Sequence, residues 1–159
     1  MSSTVFRVGA IHRPETVQSV AGGKGCNVAR ACTLGEKPMV TGWVGGTAGQ
    51  FIERELEKEG IATDFVYTDF ESRTCTSILD SHNQTMTEIY EKGEPVPPEK
   101  VAEMLVHFRE KVNGATAVSL SGSIPPGVPT IFMPNSSPSP TNLTCLCSST
   151  AATRLYCRA

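Results

Sequence analysis

Apolar residues Phe51, Ile52 and Leu56 fall on one side of Thr47–Glu59, and Glu53, Arg54, Glu57 and Lys58 on the other. That is the 3.6-residue period of a half-buried helix, and Gly60 is its C-terminal stop. A second helix is predicted from Pro97-Pro98-Glu99 to Val112, opened by proline, with Met104, Leu105 and Phe108 inward. A third, shorter helix covers about residues 25–34; its regular part, Val28–Leu34, stops at Gly35. Compact apolar runs at Met39–Val44, Phe65–Thr68 and Ala115–Leu120 read as strands. Arg73–Asp80 and Met86–Glu91 alternate around Ser81-His82-Asn83-Gln84, the pattern of a hairpin. Residues 5–20 alternate more loosely and read as two short strands joined by a turn at Gly9.

Strands alternating with helices predict an α/β fold with a mostly parallel sheet. The hairpin and residues 5–20 break that alternation, so a small separate sheet flanking the core is expected of them. Residues 133–159 change character abruptly. Pro134, Pro138 and Pro140 sit among serines and threonines, and the segment holds no Asp, Glu or Lys. Neither the helical nor the strand period survives there, so a disordered or loosely packed tail is expected, of a kind that suggests a spliced or frame-shifted end.

Composition narrows the function. With 159 residues, 39% hydrophobic and 19% charged, the chain can form one packed domain or part of a larger one. Lys and Arg number 14 against 16 Asp and Glu, a net charge of −2, so no basic excess points to nucleic acid or an anionic membrane. No apolar run approaches the roughly 20 residues that span a bilayer. The first residues lack the apolar core and cleavage site of a secretory signal. Cys26, Cys32 and Cys75 sit singly in periodic segments, while Cys145, Cys147 and Cys157 fall in the tail. No CxxC occurs, so a redox pair or zinc site is not expected, and a reducing, cytoplasmic location is.

Two loops can carry chemistry. Gly22-Gly23-Lys24-Gly25-Cys26-Asn27 precedes a helix. Glycines let backbone amides approach a ligand, the helix turns its positive end toward it, and Asn27 offers a donor and an acceptor suited to sugar hydroxyls. The spacing is neither a Walker A motif nor GxGxxG. Ser121-Gly122-Ser123-Ile124-Pro125-Pro126-Gly127 follows a buried strand, where open α/β sheets place ligands. Arg73, at the head of a hairpin strand, has the planar fork that clamps phosphate. His12, His82 and His107 show no acidic or cysteine partner at ligand spacing and receive no role. Taken singly, each loop is also explained as a plain turn.

Taken together, four stretches resemble the ribokinase-like PfkB carbohydrate kinase family, in its 1-phosphofructokinase and tagatose-6-phosphate kinase branch. They are Ala21–Arg30, similar to AGGKGxNVAR; Val40–Gly46 with Gly49; Arg73-Thr74 through Thr87-Glu88-Ile89; and Leu120–Pro129, similar to SGSLPPGVP. The resemblance covers about residues 5–131. It implies a Rossmann-like three-layer α/β core with a small β-sheet lid, the lid strands lying at about 5–20 and 73–91 and the tail at 132–159. It implies transfer of the γ-phosphoryl group of ATP, with Mg²⁺, to a sugar phosphate. Gly22, Gly23 and Asn27 would contact sugar hydroxyls, Arg73 would hold the sugar's phosphate, and Ser123 would lie near the sugar. A homodimer through the lid is also implied.

The departures are specific. No Gly-Ala-Gly-Asp, which carries the family's catalytic aspartate, occurs in the sequence, nor does the first family strand with its NPAxD motif. The expectation is therefore a fragment lacking the nucleotide half, with no catalytic and no metal-ligating residue, and inactive by itself. Cys75 stands where the lid motif usually has Asn, and the helix between Ala29 and Gly35 is one residue short.

Overall fold

The computed structural model describes residues 5–113 and 115–129, together with the backbone of 144–147 and 153–158. Among the described residues three helices, α1 (Lys24–Cys32), α2 (Gly46–Lys58) and α3 (Pro98–Val112), are interleaved with nine strands: β1 (Lys37–Thr41), β2 (Trp43–Gly45), β3 (Ala62–Thr63), β4 (Val66–Thr68), β5 (Cys75–Asp80), β6 (Thr85–Tyr90), β7 (Ala115–Ser121), β8 (Thr144–Cys147) and β9 (Thr153–Arg158).

Successive residues of β1 face opposite ways, and this builds the layers. Val40 packs with Ala21, Ala29, Leu56 and Ile61, under α1 and α2. Met39 packs with Phe108, Val112 and Val118, under α3. Helices therefore cover both faces of the sheet. A third cluster of Val96, Val101 and Val128, with Trp43 and Phe70 against it, ties the start of α3 to the loop after β7.

The main sheet runs β3-β1-β9-β7-β8. β1 is parallel to β3 and β7 parallel to β8, but β9 lies antiparallel to both β1 and β7. The sheet is thus mixed, not mostly parallel. The expected strand over 39–44 is divided at Gly42: β1 joins the main sheet, while β2 pairs in parallel with β4 in a sheet of two strands.

Two expectations for the flanks are corrected. Residues 5–20 contain no strand, and the small sheet is the β5–β6 hairpin alone. Gly9 sits at φ +80° and Pro14 lacks a donor, while Val8, Ile11, Val17 and Val20 are all exposed, so no face exists against which a strand there could be held. The expected tail does contain regular structure, since β8 and β9 fall within it. Sheet interiors need backbone partners on both sides rather than a polar–apolar alternation, so a pattern search passes over such a strand. The rest of the tail lies outside the described residues.

Leu56, on the inner face of α2, is fully buried. Leu56→Ala should lower unfolding free energy by about 2–5 kcal/mol in urea titrations, whereas Val106→Ala, at a site 52% exposed, should stay within about 0.5 kcal/mol of the parent.

Candidate functional site

Gly22, Gly23, Asn27, Arg73 and Ser123 all line one cleft of about 2050 Å³, between the hairpin and the core.

On the core side the cleft meets the start of α1. Gly23 has φ +106° and ψ 144°, a conformation essentially reserved for glycine, and its carbonyl accepts the Asn27 N–H at 3.1 Å. The helix begins at Lys24, so Gly25, Cys26 and Asn27 form its first turn rather than the loop read from the glycine run. No side chain caps this N-terminus and no acidic residue lies in its first turn. The positive end of α1 is therefore left for whatever enters the cleft. Cys26 is buried beneath it, and desolvation pushes its thiol above the usual range, as befits a packing residue rather than a nucleophile.

The N-terminus of α2, also on the cleft, is already occupied. Glu71 accepts hydrogen bonds from the Ala48 N–H and, at 3.0 Å, from the Thr47 hydroxyl. These donors, the Ala48 amide first, hold its carboxyl below the ordinary range. Of these two helix ends, one faces an internal carboxylate and the other is open.

Arg73 is fixed from both neighbours. Ser72 accepts the Gly45 N–H through Oγ at 3.0 Å and returns its own N–H to the Gly45 carbonyl at 2.9 Å. Thr74 donates its N–H to Glu91 Oε2 at 2.7 Å, and Glu91 donates its N–H to the Thr74 carbonyl at 3.2 Å. The backbone is thereby held on each side of Arg73 while its side chain stays exposed, with Nη2 donating to Ser123 Oγ at 3.3 Å. Ser123 in turn belongs to a loop anchored to the approach to α3, where the Val96 N–H reaches the Pro126 carbonyl at 2.8 Å.

The far end of the hairpin is organised by Asp80, which is buried. Its carboxylate accepts N–H groups from Phe6 at 2.9 Å and from His82 and Asn83 at 3.0 Å each, plus the Asn83 side-chain amide at 2.8 Å. These bonds, led by those from Asn83 and Phe6, pull its pKa down to about 2. Residues 5–20 thus reach the hairpin through this carboxylate rather than as added strands.

Glu71, Ser72, Glu91 and Asp80 had no site signal in the sequence; each acts on a partner distant in the chain, and only Asp80 leaves a hint, as an Asx residue before a turn. His107 Nδ1 lies 3.4 Å from Asp64 Oδ2, a partner that no ligand spacing marks in the sequence, and neither residue lines the cleft. Among the described residues no three His, Cys, Asp or Glu side chains gather as a metal ion would require.

Comparison with known proteins bears on this cleft. The sequence pattern of the pfkB family carbohydrate kinases matches residues 3–133. Among solved structures, a protein described as a possible 1-phosphofructokinase from Thermotoga maritima is 37% identical with a TM-score of 0.73, over 78% of this chain and 41% of its own. A candidate phosphofructokinase from Staphylococcus aureus is 26% identical, TM-score 0.68, over 80% of this chain and 40% of its own. The phosphofructokinase-2 of Escherichia coli, in complex with fructose-6-phosphate, shares the fold at 22% identity and a TM-score of 0.67, over 79% of this chain and 42% of its own. The chain spans about two-fifths of the length of these structures.

Asp80 yields a pH prediction. A carboxyl whose pKa is depressed on folding, from 3.8 to about 2, adds stability that is fully present above about pH 4 and is lost as pH falls through about 2. Asp80→Asn should therefore be less stable than the parent at neutral pH, with the gap closing between pH 4 and 2 in acid-unfolding curves followed by circular dichroism.

Proposed function

Because the chain belongs to the pfkB family of carbohydrate kinases, whose pattern covers residues 3–133, we propose that it forms the sugar-phosphate-binding half of an ATP-dependent kinase of 1-phosphofructokinase or tagatose-6-phosphate kinase type. The observation that carries this reading is the meeting of Arg73 and Ser123 with Gly22, Gly23 and Asn27 around one cleft. An arginine with a fixed backbone and an exposed fork suits a phosphate, and the open end of α1 with Asn27 suits hydroxyl oxygens. The fold itself is ribokinase-like α/β, as in the solved relatives.

In this reading Arg73 grips the phosphate the sugar already carries, the α1 turn orients the hydroxyls, and the hairpin lies over the sugar and excludes water as a competing acceptor. ATP and Mg²⁺ supply the transferred group and the charge neutralisation from elsewhere in the family's architecture. The 159 residues contain no Gly-Ala-Gly-Asp, which favours binding without turnover for this chain by itself. One face of the hairpin exposes Leu79, Met86 and Tyr90, an apolar surface consistent with pairing of two copies through the lid.

No helix among the described residues is long and apolar enough to cross a membrane.

Two measurements test the reading. Arg73→Ala should weaken binding of fructose 6-phosphate about tenfold to a hundredfold in calorimetry while leaving binding of unphosphorylated fructose unchanged; equal losses for both would remove the clamp role. Incubated with ATP, Mg²⁺ and fructose 1-phosphate, fructose 6-phosphate or tagatose 6-phosphate, the 159-residue chain should form no product above background. Robust product would show that the catalytic groups lie within it.

A further inference from the structure

We propose that Arg30 is a positioning residue that turns the Asn27 amide so that it meets the bound sugar as a donor. The inference rests on the sugar-phosphate reading of the cleft and goes beyond it in assigning a residue outside the cleft and a polarity to Asn27.

Arg30 follows Asn27 by three residues on α1, one turn along the same face. Its Nη1 donates to Asn27 Oδ1 at 3.1 Å. The other two nitrogens of the guanidinium both bind Glu59: Nε donates to Glu59 Oε2 at 2.6 Å and Nη2 to Glu59 Oε1 at 2.8 Å. Glu59 is the C-cap of α2, its own N–H bonded to the carbonyls of Glu55 and Leu56. The fork is therefore seated against a carboxylate that is itself anchored to a second helix, and its third contact is aimed at one oxygen.

The identity of that contact fixes the chemistry. An amide oxygen and nitrogen are nearly the same shape, but a guanidinium only donates. The atom of Asn27 facing Arg30 must be the acceptor, Oδ1. The two N–H groups of Nδ2 are then left for the cleft that Asn27 lines and Arg30 does not. Asn27 consequently reads a lone pair on a sugar oxygen instead of a hydroxyl hydrogen. The Glu59 carboxylate also balances the charge of Arg30, so this guanidinium does not compete with Arg73 for the phosphate. Lysine could not serve in its place, because one ammonium cannot hold the two-pronged seat on Glu59 and the contact to Asn27 in a single plane.

A double-mutant cycle on the 159-residue chain tests this. Fructose 1-phosphate, fructose 6-phosphate and tagatose 6-phosphate are titrated into the parent by calorimetry, and the one bound most tightly is carried through Arg30→Ala, Arg30→Lys, Asn27→Ala and the double variant Asn27→Ala/Arg30→Ala. Arg30→Ala and Arg30→Lys should each weaken binding about five- to tenfold. With Asn27 already replaced by Ala, removing Arg30 should change affinity by less than about twofold, since the group it orients is gone. An Arg30→Lys chain with parental affinity, or an Arg30→Ala loss that persists undiminished in the Asn27→Ala background, would overturn the inference and leave Arg30 a helix-to-helix brace. Absence of binding by the parent to all three sugars would instead overturn the proposed function, and this inference with it. Should Arg30→Ala fail to fold, Arg30→Lys and its double variant with Asn27→Ala complete the same cycle.

Discussion

Much of the molecule turns on the close approach of Gly45 to the segment Thr68–Ser72. A Cβ on Gly45 would collide with the carbonyls of Phe70 and Thr68, so only glycine permits the approach. The contact is sealed by the exchanged hydrogen bonds between Gly45 and Ser72. One residue later in the chain α2 begins; one residue earlier than Ser72 is Glu71, which faces the α2 N-terminus, and one later is Arg73. The end of β2, the start of a helix, the root of the hairpin and the phosphate-binding candidate are thus registered to each other through a single backbone crossing. A perturbation there would reach the core and the cleft together.

Local periodicity explains what the sequence revealed. α2 and α3 fall within a residue or two of their predicted bounds, because each shows one apolar stripe and a clear boundary signal: Gly60 after the first, Pro97-Pro98 before the second. β7 and the hairpin were equally legible. Residues 5–20 were misread because their apolar residues alternate without any face to bury them on, and pattern alone cannot tell a strand from an extended strap tied by one carboxylate. The regular part of α1 starts before Val28 because, of the glycines at 23 and 25, only Gly23 needs a glycine's backbone, and Gly25 is buried within the helix.

The candidate site divides in the same way. The residues facing the cleft were visible because short motifs place them: a glycine turn with Asn27, an arginine at a strand head, a serine after a buried strand. The residues that hold those residues in place were not. Ser72, Glu91 and Glu59 act across long stretches of chain and carry no spacing rule, so nothing in the linear pattern distinguishes Glu59 from Glu57, its neighbour on α2. Arg30 lies inside a quoted motif, but its purpose depends on a partner contributed by another helix.

The order β3-β1-β9-β7-β8 has a consequence for how the protein acquires its shape. β9 holds the ladders to both β1 and β7, with Lys37 opposite Arg158 on one side and Ser121 opposite Thr153 on the other. Without it the sheet would consist of two separate parallel pairs. The uniting strand lies far along the chain from β1, with Lys37 paired to Arg158, so the central pairing closes a long loop and its entropic cost comes before its reward. The helices and the hairpin can form from local contacts, while the sheet that aligns them depends on this distant partner. Until β9 docks, β1 and β7 each keep an unpaired hydrogen-bonding edge, and the folding chain carries an incomplete sheet.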